Sequence, residues 1–191
     1  MAKKVSGCTI LQTMIQLVFW TLLTLLYALF VFTNLDGEED CCAKENYYYY
    51  PYDPDVLKPA DCREKTSVNV SARNETFFNI MFVIASLGVL NSLVKGISEC
   101  TCPKMVSCTY MVYGGMFVAI LVMQIIVSFW RWGVTGRFCA GEMELNLPED
   151  KTRYALNEGL FIKIQLLVYY AAWPIAVIAI VACLLVSEPI H

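Results

Sequence analysis

The sequence predicts an all-α membrane protein, a four-transmembrane-helix bundle carrying a small disulfide-stapled ectodomain formed by two loops. Three observations predict it. Four apolar runs approach or exceed the roughly 20 residues a helix needs to cross a bilayer. The charged residues fall almost entirely between those runs. Four cysteines lie in two loops that an even number of crossings places on one face. Composition agrees, at 58% apolar and 16% charged residues with a mean hydropathy of +0.54. A soluble domain averages roughly 45–50% apolar and about 25% charged.

The first span runs over residues 8–33, the second over 77–94, the third over 108–130 and the fourth over 159–186, all within one membrane domain, 1–191. The first apolar run is too long for a cleaved signal peptide and no small-residue cleavage site follows it, so it is expected to remain as a span. The second is the shortest, thinned by Asn79, Asn91 and Ser92. The stretch Ile164–Val186 contains only Gln165 as a strongly polar residue. It therefore lacks the polar face that a helix of a soluble bundle would show. Backbone groups in hydrocarbon must pair within the segment, so all four spans are expected to be helices.

Small residues let helices approach closely in lipid, and Gly114, Gly115 and Ala119 on the third span and Ser86 and Gly88 on the second fit that use. Gln12, Gln16, Asn79, Asn91 and Gln124 are candidates for hydrogen bonds that hold the bundle together. Pro174 predicts a kink, because its ring clashes with the carbonyl one turn back. No acidic or basic residue is expected deep in a span: Lys95 and Lys104 fall in the short middle loop, and Lys163, one turn inside the fourth span, can snorkel. Intramembrane charges mark pumps and proton relays, so those classes are disfavoured.

Lys3 and Lys4, with Lys95 and Lys104, fit a cytoplasmic face for the termini and the middle loop. The loops 34–76 and 131–158 carry five and four Lys or Arg residues over greater lengths, so basic charge alone does not orient the chain. The first loop adds two glycosylation sequons, at Asn69 and Asn74. Cys41, Cys42 and Cys62 lie in the first loop and Cys139 in the second, an even set that an oxidising compartment would pair. Neighbouring cysteines do not suit disulfide geometry. Two pairings stay open: Cys41–Cys62 with Cys42–Cys139, or Cys41–Cys139 with Cys42–Cys62. Either one staples the loops together, and both favour placing the long loops outside. On the opposite side Cys100, Cys102 and Cys108 are candidate palmitoylation sites. They fall short of a zinc set, which needs a fourth ligand.

The first loop also contains the aromatic run Tyr47, Tyr48, Tyr49, Tyr50 and Tyr52, broken by Pro51 and followed by Pro54. Proline disfavours helix in the residue before it, and tyrosines supply rigid contact area with a hydroxyl. This segment is the candidate docking strand for a partner; packing at the headgroups is the simpler use of the same residues. The acidic residues of both loops do not match a calcium loop. The only histidine is His191, and no nucleophile, phosphate-loop or metalloprotease motif occurs. No enzyme activity and no cofactor are therefore expected. A net charge of −3 with no basic face argues against nucleic acid.

One stretch resembles a pattern of MARVEL-like four-pass proteins: an arginine, then Gly-basic-x-Cys-small-Gly-acidic, then Tyr-x-Leu at the start of the last span. Here these are Arg131, Gly136, Arg137, Cys139, Ala140, Gly141, Glu142, Tyr154 and Leu156. The resemblance implies a four-helix membrane-organising, membrane-apposition or vesicle protein. Tetraspanin-like and claudin-like layouts fit less well. The Cys-Cys pair lies in the first loop and is followed by Ala43, and loop 34–76 has no tryptophan.

The expected function is that of a non-enzymatic accessory or assembly subunit, or membrane organiser, in the plasma membrane or a secretory or vesicle membrane with cytoplasmic termini. Its partners would be membrane lipid and other integral membrane proteins. The alternatives are a channel-like homo-oligomer lined by Gln12, Gln16, Asn79 and Gln124, and a structural accessory subunit of a mitochondrial inner-membrane complex.

Overall fold

The computed structural model describes residues 7–33, 41–44, 67–101, 103–140 and 156–186. Over these residues the chain is almost entirely helical. The helices are α1 (Gly7–Phe32), α2 (Val70–Thr101), α3 (Pro103–Trp132), the short α4 (Val134–Cys139) and α5 (Leu156–Val186). Three of them, α1, α2 and α3, are long and apolar enough to cross a membrane. Helix α5 covers the predicted fourth span without interruption and continues through Pro174.

The loop end also holds structure that the helical reading did not anticipate. Strands β1 (Cys42–Lys44) and β2 (Ser67–Asn69) pair antiparallel, with Cys42 opposite Asn69 and Lys44 opposite Ser67. The ladder closes the base of the first loop.

Helix α2 outruns its predicted span, 77–94, by seven residues at each end, about two turns. At its start Asn69 is the N-cap: its Oδ1 accepts from the backbone N–H of Ala72, the third helical residue, at 2.8 Å. At its end nothing breaks the helix until Pro103, and a residue before proline is driven out of the helical region. Proline itself then opens α3, where its missing N–H is no loss. The expected middle loop is thus a tight joint between two helices. Lys95 lies inside α2, and the 34–76 loop is shortened by the first two turns of that helix.

Helix α2 is the centre of the packing. Phe77, Phe78, Met81, Ile84 and Ala85 are buried along one face, and the face continues through Asn91, Ser92, Lys95 and Ser98. That spacing of three and four residues is one side of an α-helix. Helix α1 lies against it, with Trp20 over Gly88: a Cβ at position 88 would run into the indole ring. Gly88 is thereby required by close approach, as the sequence suggested. Gly114 and Gly115 on α3 have nothing within 4 Å of where a Cβ would stand. Among the described residues they serve no packing.

Towards the loop end an aromatic cluster ties α1, α2 and α5 together. Phe30 stacks on Phe78 at 4.6 Å between centroids and meets Phe161 at 4.3 Å. Tyr27 stands edge-on to Phe77 at 6.3 Å and to Phe161 at 6.0 Å. Such pairs contribute about 0.5–1.5 kcal/mol each beyond the area they bury. Ile162 and Leu166 of α5 are buried in the core, and α5 meets α3 through Tyr170, whose hydroxyl donates to Ser128 Oγ at 2.7 Å.

Candidate functional site

Two polar assemblies stand out, one at each end of the helices. The first lies near the α2–α3 joint. Lys95 is fully buried there, at 0% exposure. Its Nζ donates to Gln16 Oε1 on α1 at 3.0 Å and lies 5.0 Å from the ring centroid of Tyr110 on α3. Around it Asn91 Nδ2 donates to the Thr109 carbonyl at 3.0 Å, and Ser92 Oγ and the Tyr113 hydroxyl share a 2.7 Å hydrogen bond. One turn further along α2, Glu99 accepts from the Thr13 hydroxyl at 3.4 Å. Three helices thus meet through side-chain polar groups.

Lys95 was expected in the middle loop and instead lies within α2, near its end and enclosed by its neighbours. Lys95 lies within the candidate span Val70–Glu99. A signal was present in the sequence: Asn91, Ser92, Lys95, Ser98 and Glu99 share one helical face, and Thr13 and Gln16 offer polar partners at helical spacing. Ending the span at Val94 hid that stripe.

The second assembly is the loop end. Cys41 is disulfide-bonded to Cys139, with Cα atoms 5.9 Å apart, across 98 residues of sequence. Cys42 is disulfide-bonded as well; Cys62 lies outside the described residues. The backbone of Cys41 is fixed to the first turn of α2, its N–H donating to Ser71 Oγ at 3.0 Å and its carbonyl accepting from Val70 N–H at 2.9 Å. Cys139 ends α4, so this bond joins the base of the first loop to the second. The two loops are stapled, as either open pairing required.

Four of the nine motif residues converge on this knot. Arg131, in the last turn of α3 and 4% exposed, donates from Nε to the Gly159 carbonyl at 3.0 Å. Helix α4 turns so tightly against α3 that a Cβ at position 136 would strike the Trp130 carbonyl, and only glycine fits. Ala140 lies against Gly159, 2.8 Å from where a Cβ on that glycine would stand. Arg131, Gly136, Cys139 and Ala140 therefore lock α3, α4 and α5 together. Arg137 is exposed on α4, and Gly141, Glu142 and Tyr154 lie outside the described residues.

A small cavity of about 10 Å³ sits inside the knot, lined in part by Arg73, Asn74, Trp130, Arg131 and Thr135. Asn74 is buried, and its Nδ2 donates to Glu158 Oε2 at 3.1 Å. A glycan on Asn74 would displace that contact and the packing around it. Asn69 is half-buried and spends its Oδ1 on the helix cap.

Of the remaining predicted residues, Cys108 is a free, exposed thiol on α3. Cys100 falls in the last turn of α2 and Cys102 outside the described residues, as do Tyr47, Tyr48, Tyr49, Tyr50 and Tyr52. The four residues proposed for a pore stand in different settings within the single chain. Gln12 and Asn79 face outward, Gln16 is bound to Lys95, and Gln124 is buried on α3 with its amide unpartnered among the described residues. Among the described residues no group of three or more His, Cys, Asp or Glu is placed to hold a metal. No protein-family model, curated protein or solved structure matches the chain.

Proposed function

We propose that the chain is a four-pass accessory subunit or membrane organiser that packs laterally against a transmembrane helix of another integral membrane protein, with α5 as the fourth crossing and the stapled loops outside. The observation that carries this reading is the pair Gly114–Gly115. Each glycine costs a helix interior about 1 kcal/mol relative to alanine, and among the described residues nothing approaches either one. Met111, Phe117 and Val118 stand exposed around them, forming a notch with apolar walls. Helices in lipid associate through such close approaches. Asn79 supports the same reading, since an outward amide in a span is a donor and acceptor for a neighbouring helix.

In this reading the stapled knot is the rigid platform from which the tyrosine segment reaches a partner's outer surface. Acylation at Cys108, Cys100 or Cys102 would hold the opposite end in the membrane. The experiment is purification of the full chain in mild detergent with identification of companions, comparing wild type with Gly115→Leu. The open space at Gly115 means that leucine leaves the fold and its thermal midpoint intact. Loss of a stoichiometric companion at unchanged stability supports lateral packing; a companion retained in equal amount rejects the glycine notch as the contact. A single species made only of this chain would move the homo-oligomer to the front.

A further inference from the structure

We propose that the cavity at the loop end binds a phosphate oxyanion, and that in the membrane the phosphate belongs to a phospholipid headgroup. The cavity, about 10 Å³, matches one water-sized sphere, enough for a single oxygen and too small for a whole phosphate. A headgroup would therefore lie against its mouth with one oxygen inside.

The chemistry of the wall is cationic. Arg73 and Arg131 both line the cavity, and among the described residues no acidic one does. Arg73 is half-buried; its guanidinium carbon lies 5.6 Å from the Trp130 ring centroid, and it has no carboxylate partner among the described residues. It brings a fork of N–H donors, the geometry that matches phosphate oxygens in pairs. Arg131 is anchored on the Gly159 carbonyl and contributes charge from a fixed position. The Thr135 side chain adds a hydroxyl at the same wall. Glu158 accepts from Asn74 Nδ2 at 3.1 Å and is not among the lining residues.

The level is right for a headgroup. Arg73 lies in the first turn of α2 and Arg131 in the last turn of α3, so both stand at the loop end of helices long enough to cross a membrane. Trp130 and Trp132 flank Arg131, and tryptophans collect at the membrane–water boundary. A phosphate at that depth keeps its outer oxygens in water while its inner oxygen meets two guanidiniums.

The test uses the purified full chain in detergent and follows thermal unfolding during titration with short-chain phosphatidylglycerol, with diacylglycerol of the same chain length, and with inorganic phosphate. A ligand that binds only the folded state raises the midpoint saturably. The expected result is a saturable rise with phosphatidylglycerol and none with diacylglycerol. Arg73→Gln should weaken the apparent affinity about tenfold or more, the usual effect of losing a charged hydrogen-bond donor. Arg73→Lys, which keeps the charge without the fork, and Thr135→Val should fall between. A rise of equal size with inorganic phosphate at equal concentration, also lost in Arg73→Gln, assigns the oxyanion to solution and overturns the lipid source. No rise with either phosphate compound, or the same response in wild type and Arg73→Gln, overturns the site.

Discussion

Lys95 and Gln16 give the sharpest energetic prediction. Lys95 is fully enclosed, and among the described residues Gln16 is its one hydrogen-bond acceptor. Gln16→Leu removes that acceptor and leaves a buried ammonium beside the Tyr110 ring, with no other hydrogen-bond acceptor among the described residues. Hydrogen bonds to charged groups contribute about 1.5–3 kcal/mol, and an orphaned charged donor carries the full desolvation penalty. The expected loss is therefore about 2–3 kcal/mol. Lys95→Met should behave differently. It keeps an unbranched stem, removes the charge, and leaves only the neutral Gln16 amide without its partner. Replacing a buried ion by an apolar residue is often neutral or stabilising, so the expected change is within about 1 kcal/mol of zero. The double variant should recover most of what Gln16→Leu loses. Unfolding in mixed micelles, followed through the fluorescence of Trp20, reads all three, because the indole stacks on Tyr113 at 6.4 Å beside the cluster. Additive losses, or a Lys95→Met cost as large as that of Gln16→Leu, would refute the burial argument.

Gly88→Ala should destabilise by about 1–3 kcal/mol, the usual cost of overpacking, because the methyl group meets the Trp20 ring; thermal unfolding checks it. Cys139→Ser should cost about 2 kcal/mol, the low end of the disulfide range, since helices held in a membrane already restrict the unfolded chain. Peptide mapping without reductant should recover the Cys41 and Cys139 peptides joined in wild type; finding Cys139 joined to Cys42 instead would contradict the pairing.

The parts of the fold set by local sequence were legible from it. Long apolar runs demand helices, and residues 8–33 and 108–130 become α1 and α3 with bounds shifted by a few residues. The ends of α2 were less legible, for two reasons. Its N-terminus depends on a cap, Asn69, whose short polar side chain fits a sequon equally well. Its C-terminus runs past the point where hydropathy falls, because polar residues from Asn91 to Glu99 face α1 and α3 rather than water. Hydropathy scores a residue by type and cannot register a partner on another helix.

The candidate sites divide in the same way. Pairing across the loops followed from counting cysteines on one face, but the choice between two pairings did not. That choice rests on Cys41 being pinned to the first turn of α2, a tertiary fact. The two glycine groups looked alike in sequence and were both expected to serve close approach. Gly88 meets a tryptophan, whereas Gly114 and Gly115 face outward, a distinction that depends on which face of each helix the bundle uses. The convergence of Arg73, Asn74 and Arg131 on one cavity was not legible at all, because it joins the start of α2 to the end of α3.

The most direct test of lateral association is native purification of the full chain in mild detergent, with mass analysis of the intact assembly. The account predicts a discrete particle containing this chain and a second membrane protein in fixed ratio, which falls apart in Gly115→Leu while the chain itself stays folded. A monodisperse particle of this chain alone, unchanged by Gly115→Leu, would contradict it.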